Sequence, residues 1–110
     1  MSTDSNADVL QRLFDVIESR RGADPDSSYT AKLLAGGPKK IAKKIGEESA
    51  EVVIAALSEG KDAVTLESAD LLYHLLVMWS AMGVRPEDVY AELVRREGTS
   101  GIIEKNSRKK

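Results

Sequence analysis

The sequence predicts an all-α fold, a bundle of four to five helices that dimerises through its apolar central helices. Three observations lead there. Apolar residues recur at helical spacing along most of the chain, and no alternation of period two reaches useful length. Breaks bearing glycine or proline cut the pattern at Gly22, Gly36-Gly37-Pro38, Gly60 and Gly83 to Pro86. The stretch Leu71 to Met82 is nearly continuously apolar, interrupted only by Tyr73, His74 and Ser80, so that helix must be covered on most sides.

Residues 1 to 7 are polar and are expected to fray. Val9, Leu10, Leu13, Phe14 and Ile17 then share one face of a helix over about Ala7 to Arg20, stopped by Gly22 and Asp24-Pro25-Asp26. Ser27, Ser28 and Thr30 are N-cap candidates for a short helix carrying Leu33 and Leu34 and ended by Gly36-Gly37. Pro38 suits the first position of the next helix, which runs to about Ser58 with Ile41, Ile45, Val52, Val53 and Ala56 on its apolar side. Glu59-Gly60-Lys61-Asp62 turns the chain back into an antiparallel helix over about Ala63 to Met82. Part of Leu72, Leu75, Leu76 and Trp79 is expected to need a second subunit as cover. Pro86 opens a last helix, Glu87 to Arg96, with Val89, Leu93 and Tyr90 facing inward, and residues 97 to 110 read as a flexible tail.

A chain of 110 residues makes one domain, 1–110, too small to bury as large a fraction of its surface as a longer protein would. Lys and Arg number 16 against 18 Asp and Glu, a net charge of −2, so no global basic field favours nucleic acid. With no cysteine there is no disulfide, no thiolate zinc site and no thiol nucleophile, which fits a cytoplasmic location. The N-terminus lacks the apolar core of a secretory signal, and no run approaches the ~18 apolar residues that argue for a membrane span.

The chemistry lies in two acidic clusters on consecutive predicted helices, Glu47-Glu48-Ser49-Ala50-Glu51 and Glu67-Ser68-Ala69-Asp70. Residues three apart share a helix face, so Glu48 and Glu51 project together, and so do Glu67 and Asp70. An antiparallel hairpin brings the four carboxylates to one spot, an all-oxygen site suited to Mg²⁺ or Mn²⁺. The plain alternative is that these are two solvated helix faces. Two features weigh against it. Asp70 runs straight into Leu71 and Leu72, where a carboxylate wants a partner. Lys39, Lys40, Lys43 and Lys44 crowd a helix N-terminus that disfavours cations, and they precede glutamate in the weaker order for helical ion pairs. An anion bound there resolves the conflict, and phosphate followed by a metal site one to two turns later is the layout for a metal-complexed triphosphate.

The runs Ser28-Tyr29-Thr30-Ala31-Lys32-Leu33-Leu34, Lys43-Lys44-Ile45-Gly46-Glu47-Glu48-Ser49-Ala50-Glu51-Val52 and Glu67-Ser68-Ala69-Asp70-Leu71-Leu72-Tyr73-His74-Leu75-Leu76 closely resemble the phosphoribosyl-ATP pyrophosphohydrolases of histidine biosynthesis. These are members of the all-α, MazG-like nucleotide pyrophosphohydrolases, and the match runs from about Leu10 to Arg96. The two acidic motifs mark only the superfamily, whereas the longer blocks single out this family. The resemblance implies hydrolysis of phosphoribosyl-ATP to phosphoribosyl-AMP and pyrophosphate by a dimeric, Mg²⁺-dependent, cytoplasmic enzyme. It places Glu48, Glu51, Glu67 and Asp70 at the metal-ligand positions and Glu47 at an additional acidic position that orients or deprotonates the attacking water. Glu47, Glu48 and Glu51 are therefore the expected catalytic residues.

Lys40, Lys43 and Lys44 are the expected phosphate contacts, Lys40 and Lys44 foremost because they share the face of Glu48. Tyr29 is a candidate substrate contact, while helix capping accounts for Ser28 and Thr30. His74 is either a partner of Asp70 or a hydrogen-bonded core histidine. Arg95 and Arg96 read as a solvated helix end and Trp79 as core or interface. The rival functions are a house-cleaning pyrophosphohydrolase acting on dUTP or other nucleotides, and a non-catalytic helical dimerisation module.

Overall fold

Phe14 and Ile17 fall on one side of helix α1, Val9–Ser19, and both are buried in the computed structural model, which describes residues 6–108. Residues 1–5 and 109–110, parts of the two expected tails, lie outside the described residues. Asn6–Asp8, placed partly in the frayed segment by the sequence, forms a single 3₁₀ turn ahead of α1.

Helix α2, Tyr29–Ile54, starts where Ser28 Oγ accepts a hydrogen bond from the Ala31 N–H at 3.1 Å, the capping role expected of it. The expected stop at Gly36-Gly37 is a kink within one run: Gly37 leaves helical geometry with φ 82° and ψ 177°, a region open in practice only to glycine, and Pro38 restarts the helix without a lost N–H. Ala31 and Leu33 before the kink and Ile41 after it are all buried, so the bend wraps α2 around the core.

A π-helical turn, Ala55–Glu59, and Gly60 with φ 103° lead directly into α3, Lys61–Met82. The near-absence of a loop folds α3 back along α2, and this pair forms the most extensive packing in the molecule. Gly83, with φ 75°, ends α3 in a left-handed turn closed by the Val84 N–H to Trp79 carbonyl bond of 2.9 Å. Helix α1 is tied to this end of α3: Arg21 Nη2 donates to the Ser80 carbonyl at 2.5 Å and to Ser80 Oγ at 2.7 Å, and Ser80 Oγ donates to Glu18 at 2.6 Å.

The core is Phe14, Ile17, Leu33, Ile41, Leu76 and Val77, with Leu10, Leu13, Ile45, Tyr73 and Trp79 packed around it. Of the four residues expected to need a second subunit in part, Leu76 is fully buried within the chain, Leu75 and Trp79 are partly buried, and Leu72 is exposed. Further exposed apolar residues gather at the α2–α3 turn: Leu57 is 82% and Leu66 68% exposed, with Val53 and Ile54 also exposed.

Helix α4 spans Pro86–Arg96, with Val89 and Tyr90 partly buried but Leu93 exposed, contrary to its expected inward orientation. The expected flexible tail from Glu97 is also corrected, because Gly101–Arg108 forms helix α5. Charge rather than apolar burial orders it. Glu104 is only 5% exposed and sits among Arg95 at 2.6 Å, Arg108 at 3.1 Å and Arg96 at 3.8 Å. Arg95 and Arg96, read as a solvated end, thus serve to hold α5. Among the described residues the fold is five α-helices without a strand, an all-α bundle as the sequence predicts.

Candidate active site

The α2–α3 hairpin decides the geometry. Glu48 sits on the second arm of α2, Glu67 and Asp70 on the second and third turns of α3, and the close return at Gly60 turns these faces toward each other. One carboxylate oxygen from each of Glu48, Glu67 and Asp70 falls within 4.8 Å of the others. Glu51, expected as a fourth member, is exposed and outside that triple, yet near enough for its charge to act on Glu67. Glu67 is held above the usual carboxylate range, first by burial and then by the charges of Asp70, Glu51, Glu48 and Glu59. A like-charged cluster of hard oxygen donors fits an Mg²⁺- or Mn²⁺-type dication, whose charge would relieve that repulsion.

On α2, one residue from Glu48 at its Glu47 end, lies a cavity of about 560 Å³ lined by Gly36, Lys39, Lys40, Lys43, Lys44 and Glu47. All six lie on α2 on either side of the Gly37 kink. Gly36 admits the Lys40 stem, since a Cβ there would stand 2.4 Å from Lys40 Cδ. The cavity thus gathers the three predicted phosphate-binding lysines, and it adds Lys39, which sequence reasoning treated only as part of a crowded helix end. Its signal was the double glycine before Pro38, since Gly36 lines the same cavity as the lysines.

Lys44 joins cavity and carboxylates. Its Nζ is 3.3 Å from Glu47 Oε1 and 4.0 Å from Glu48 Oε2, and the Glu47 hydrogen bond pushes the ammonium pKa up. Glu47 accordingly faces the lysines rather than the Glu48–Glu67–Asp70 triple.

Tyr29, 51% exposed at the start of α2, stands within electrostatic reach of Lys44, Glu48 and Glu47. Burial pushes its phenol pKa up against the opposing pull of Lys44. Its hydroxyl is 2.9 Å from His74 Nε2, and His74 Nδ1 is 2.8 Å from the backbone carbonyl of Asp70. His74 is therefore the hydrogen-bonded core histidine of the two readings, linked to the main chain of Asp70 and not to its carboxylate. Thr30 makes a parallel hydroxyl contact with Tyr73, so α2 is fastened to α3 twice, one turn beyond Asp70. Tyr73 was missed as a site neighbour because nothing in an apolar run marks which hydroxyl turns toward the preceding helix.

The family model for phosphoribosyl-ATP pyrophosphohydrolase matches residues 10–97, which include every residue of the carboxylate cluster and the lysine cavity. The chain belongs to the phosphoribosyl-ATP pyrophosphohydrolase family. Curated relatives agree. A phosphoribosyl-ATP pyrophosphatase of Paramagnetospirillum magneticum is 62% identical over 110 residues, covering 100% of this chain and 99% of its own length. Those of Azospirillum brasilense and Gluconobacter oxydans are 55% and 57% identical, over 94% and 93% of this chain and 94% and 77% of their own lengths. In this phosphoribosyl-ATP pyrophosphohydrolase family member, helix α5 lies wholly beyond the matched segment.

Proposed function

We propose that the chain hydrolyses phosphoribosyl-ATP to phosphoribosyl-AMP and pyrophosphate in histidine biosynthesis, with a divalent cation held by Glu48, Glu51, Glu67 and Asp70. Family membership and the names of the relatives support the reaction. The single observation that carries the site is the meeting of Glu48, Glu67 and Asp70 oxygens within 4.8 Å of one another beside a lysine-lined cavity. Glu51, close enough for its charge to act on Glu67, would be the fourth ligand.

When bound, Mg²⁺, or Mn²⁺ in its stead, supplies charge neutralisation at the bridging phosphates and eases deprotonation of water. The chain's own residues do the rest. Lys40, Lys43 and Lys44, with Lys39, draw the anionic phosphates into the cavity and offset charge as the anhydride bond breaks. Glu47 Oε1 rests on Lys44, leaving Oε2 to orient the attacking water and take its proton. Tyr29 borders the substrate.

The functional unit is a homodimer in the cytoplasm. The exposed apolar rim of Val53, Ile54, Leu57, Leu66 and Leu72 favours a second copy as its cover, as does a radius of gyration of 16.1 Å in a chain whose compact form would measure about 13 Å. No described helix is long and apolar enough to cross a membrane, and a net charge of −2 argues against a nucleic-acid partner.

Pyrophosphate release by purified protein decides the reading, measured on phosphoribosyl-ATP, dUTP and ATP with Mg²⁺ and with EDTA. Metal-dependent turnover of phosphoribosyl-ATP alone is expected. Preference for dUTP or ATP would move the chain to nucleotide sanitation, and silence on all three would make it a structural module.

A further inference from the structure

Two hydrogen bonds on one buried ring determine what Tyr29 can offer to a bound molecule. His74 is 5% exposed, and each of its nitrogens has one partner. A backbone carbonyl only accepts, so the 2.8 Å contact to the Asp70 carbonyl requires a hydrogen on Nδ1. In the neutral ring Nε2 is then a bare lone pair, and the 2.9 Å contact to Tyr29 is a bond that the phenol donates. A phenol has one hydrogen. Once it is directed at His74, the Tyr29 oxygen has only lone pairs for anything else it meets. Phosphate oxygens are acceptors too and are repelled by such an oxygen, whereas Lys44, within electrostatic reach of Tyr29, and the other lysines of the cavity attract them.

We infer that His74 is a positioning residue that fixes Tyr29 as a hydrogen-bond acceptor, so that Tyr29 recognises a donor on the substrate side, a ribose hydroxyl or an ordered water, and no phosphate oxygen. The inference rests on the reading that this site takes phosphoribosyl-ATP. It divides recognition in two: lysines of α2 select the phosphates, and the Tyr29–His74 pair selects what adjoins them. The pair also couples the selection to the metal-binding face, because the His74 anchor is the main chain of Asp70 itself.

His74 is the chain's single histidine, so its ring nitrogens can be observed without overlap. Nitrogen-15 NMR at pH 8 on the full-length protein should show hydrogen on Nδ1 and none on Nε2, and Tyr29→Phe should move the Nε2 resonance toward that of a free lone pair. Hydrogen on Nε2 overturns the inference. In kinetics, Tyr29→Phe should raise KM for phosphoribosyl-ATP about three- to tenfold, the size of one neutral hydrogen bond, with kcat within about twofold. His74→Phe should raise KM similarly, and the double variant should be no worse than the poorer single one. With an analogue lacking the 2′-hydroxyl of the ATP ribose and another lacking the 3′-hydroxyl, the Tyr29→Phe effect disappears on one of them when a sugar hydroxyl is the donor and persists on both when water is. An active wild type with Tyr29→Phe unchanged in KM overturns the inference alone. A wild type silent on phosphoribosyl-ATP overturns the reading beneath it.

Discussion

Glu48 on α2 and Glu67 on α3 bring carboxylate oxygens within 4.8 Å of each other, and Glu67 responds with a pKa above the usual range. Two acids so placed repel in the metal-free protein. Glu67→Gln should therefore raise the melting temperature in EDTA at neutral pH, while lowering Mg²⁺ affinity by at least about tenfold and abolishing most pyrophosphate release. Calorimetry in EDTA and in Mg²⁺ checks both halves. A variant that loses stability in EDTA while keeping full activity would contradict the ligand assignment.

Substitution of Lys40 addresses the cavity. Lys40→Gln removes one cation from the lysine-lined cavity without disturbing the core, since Lys40 is exposed. The expected outcome is a KM for phosphoribosyl-ATP raised about ten- to a hundredfold, the range of a charge-assisted hydrogen bond, with an unchanged unfolding curve. Steady-state kinetics with urea titration distinguish this from a general loss of structure.

The kink should be sensitive to a single methyl group. Gly37 has φ 82° and ψ 177°, and an alanine there must adopt backbone geometry that costs about 1–3 kcal/mol. No neighbouring atom stands within 4 Å of a Cβ at this position, so the whole penalty is conformational. Urea denaturation of Gly37→Ala should show a loss of that size at unchanged m-value.

Acid should loosen the C-terminal end through Glu92. Hydrogen bonds from Arg95 and Arg96 lower its pKa from 4.5 to about 2. A depressed carboxylate contributes its stabilisation above the unfolded pKa, near 4.5, and loses it as pH falls toward 2. Subtracting the thermal stability of Glu92→Gln from that of the wild type should give a positive, flat difference above pH 5 that declines between 4.5 and 2.

Much of this was legible beforehand because it is local. Ser28 as a cap, Pro38 as a restart, Gly60 as a turn and Gly83 as a stop all follow from single-residue backbone preferences. The convergence of Glu48, Glu67 and Asp70 was legible because helical period and a short turn suffice to place them. Partnerships between distant side chains were not. Nothing local says that Glu104 reaches Arg95, so a polar, glycine-bearing segment read as a tail. Nor does periodicity separate Glu51 from Glu48 when both lie on one face, yet Glu51 is exposed and outside the triple. Which of Leu72, Leu75, Leu76 and Trp79 the chain covers by itself was also not legible, because the sequence shows that a helix is apolar but not how far its own α1 and α2 will cover it, as they do for Leu76.

The direct passage from α2 through Gly60 into α3 makes the hairpin a ruler. Each residue inserted or removed between Glu51 and Glu67 turns the following carboxylates by about 100° and moves them about 1.5 Å along the axis. A one-residue change on either arm would face Glu67 and Asp70 away from Glu48 while leaving every acid in the sequence. The segment Gly22 to Ser27, which follows the Arg21–Ser80 tie and leads to α2 without contributing to the site, can absorb such changes far more readily. Length, then, is under the same constraint as identity in one connection of this protein and under almost none in another.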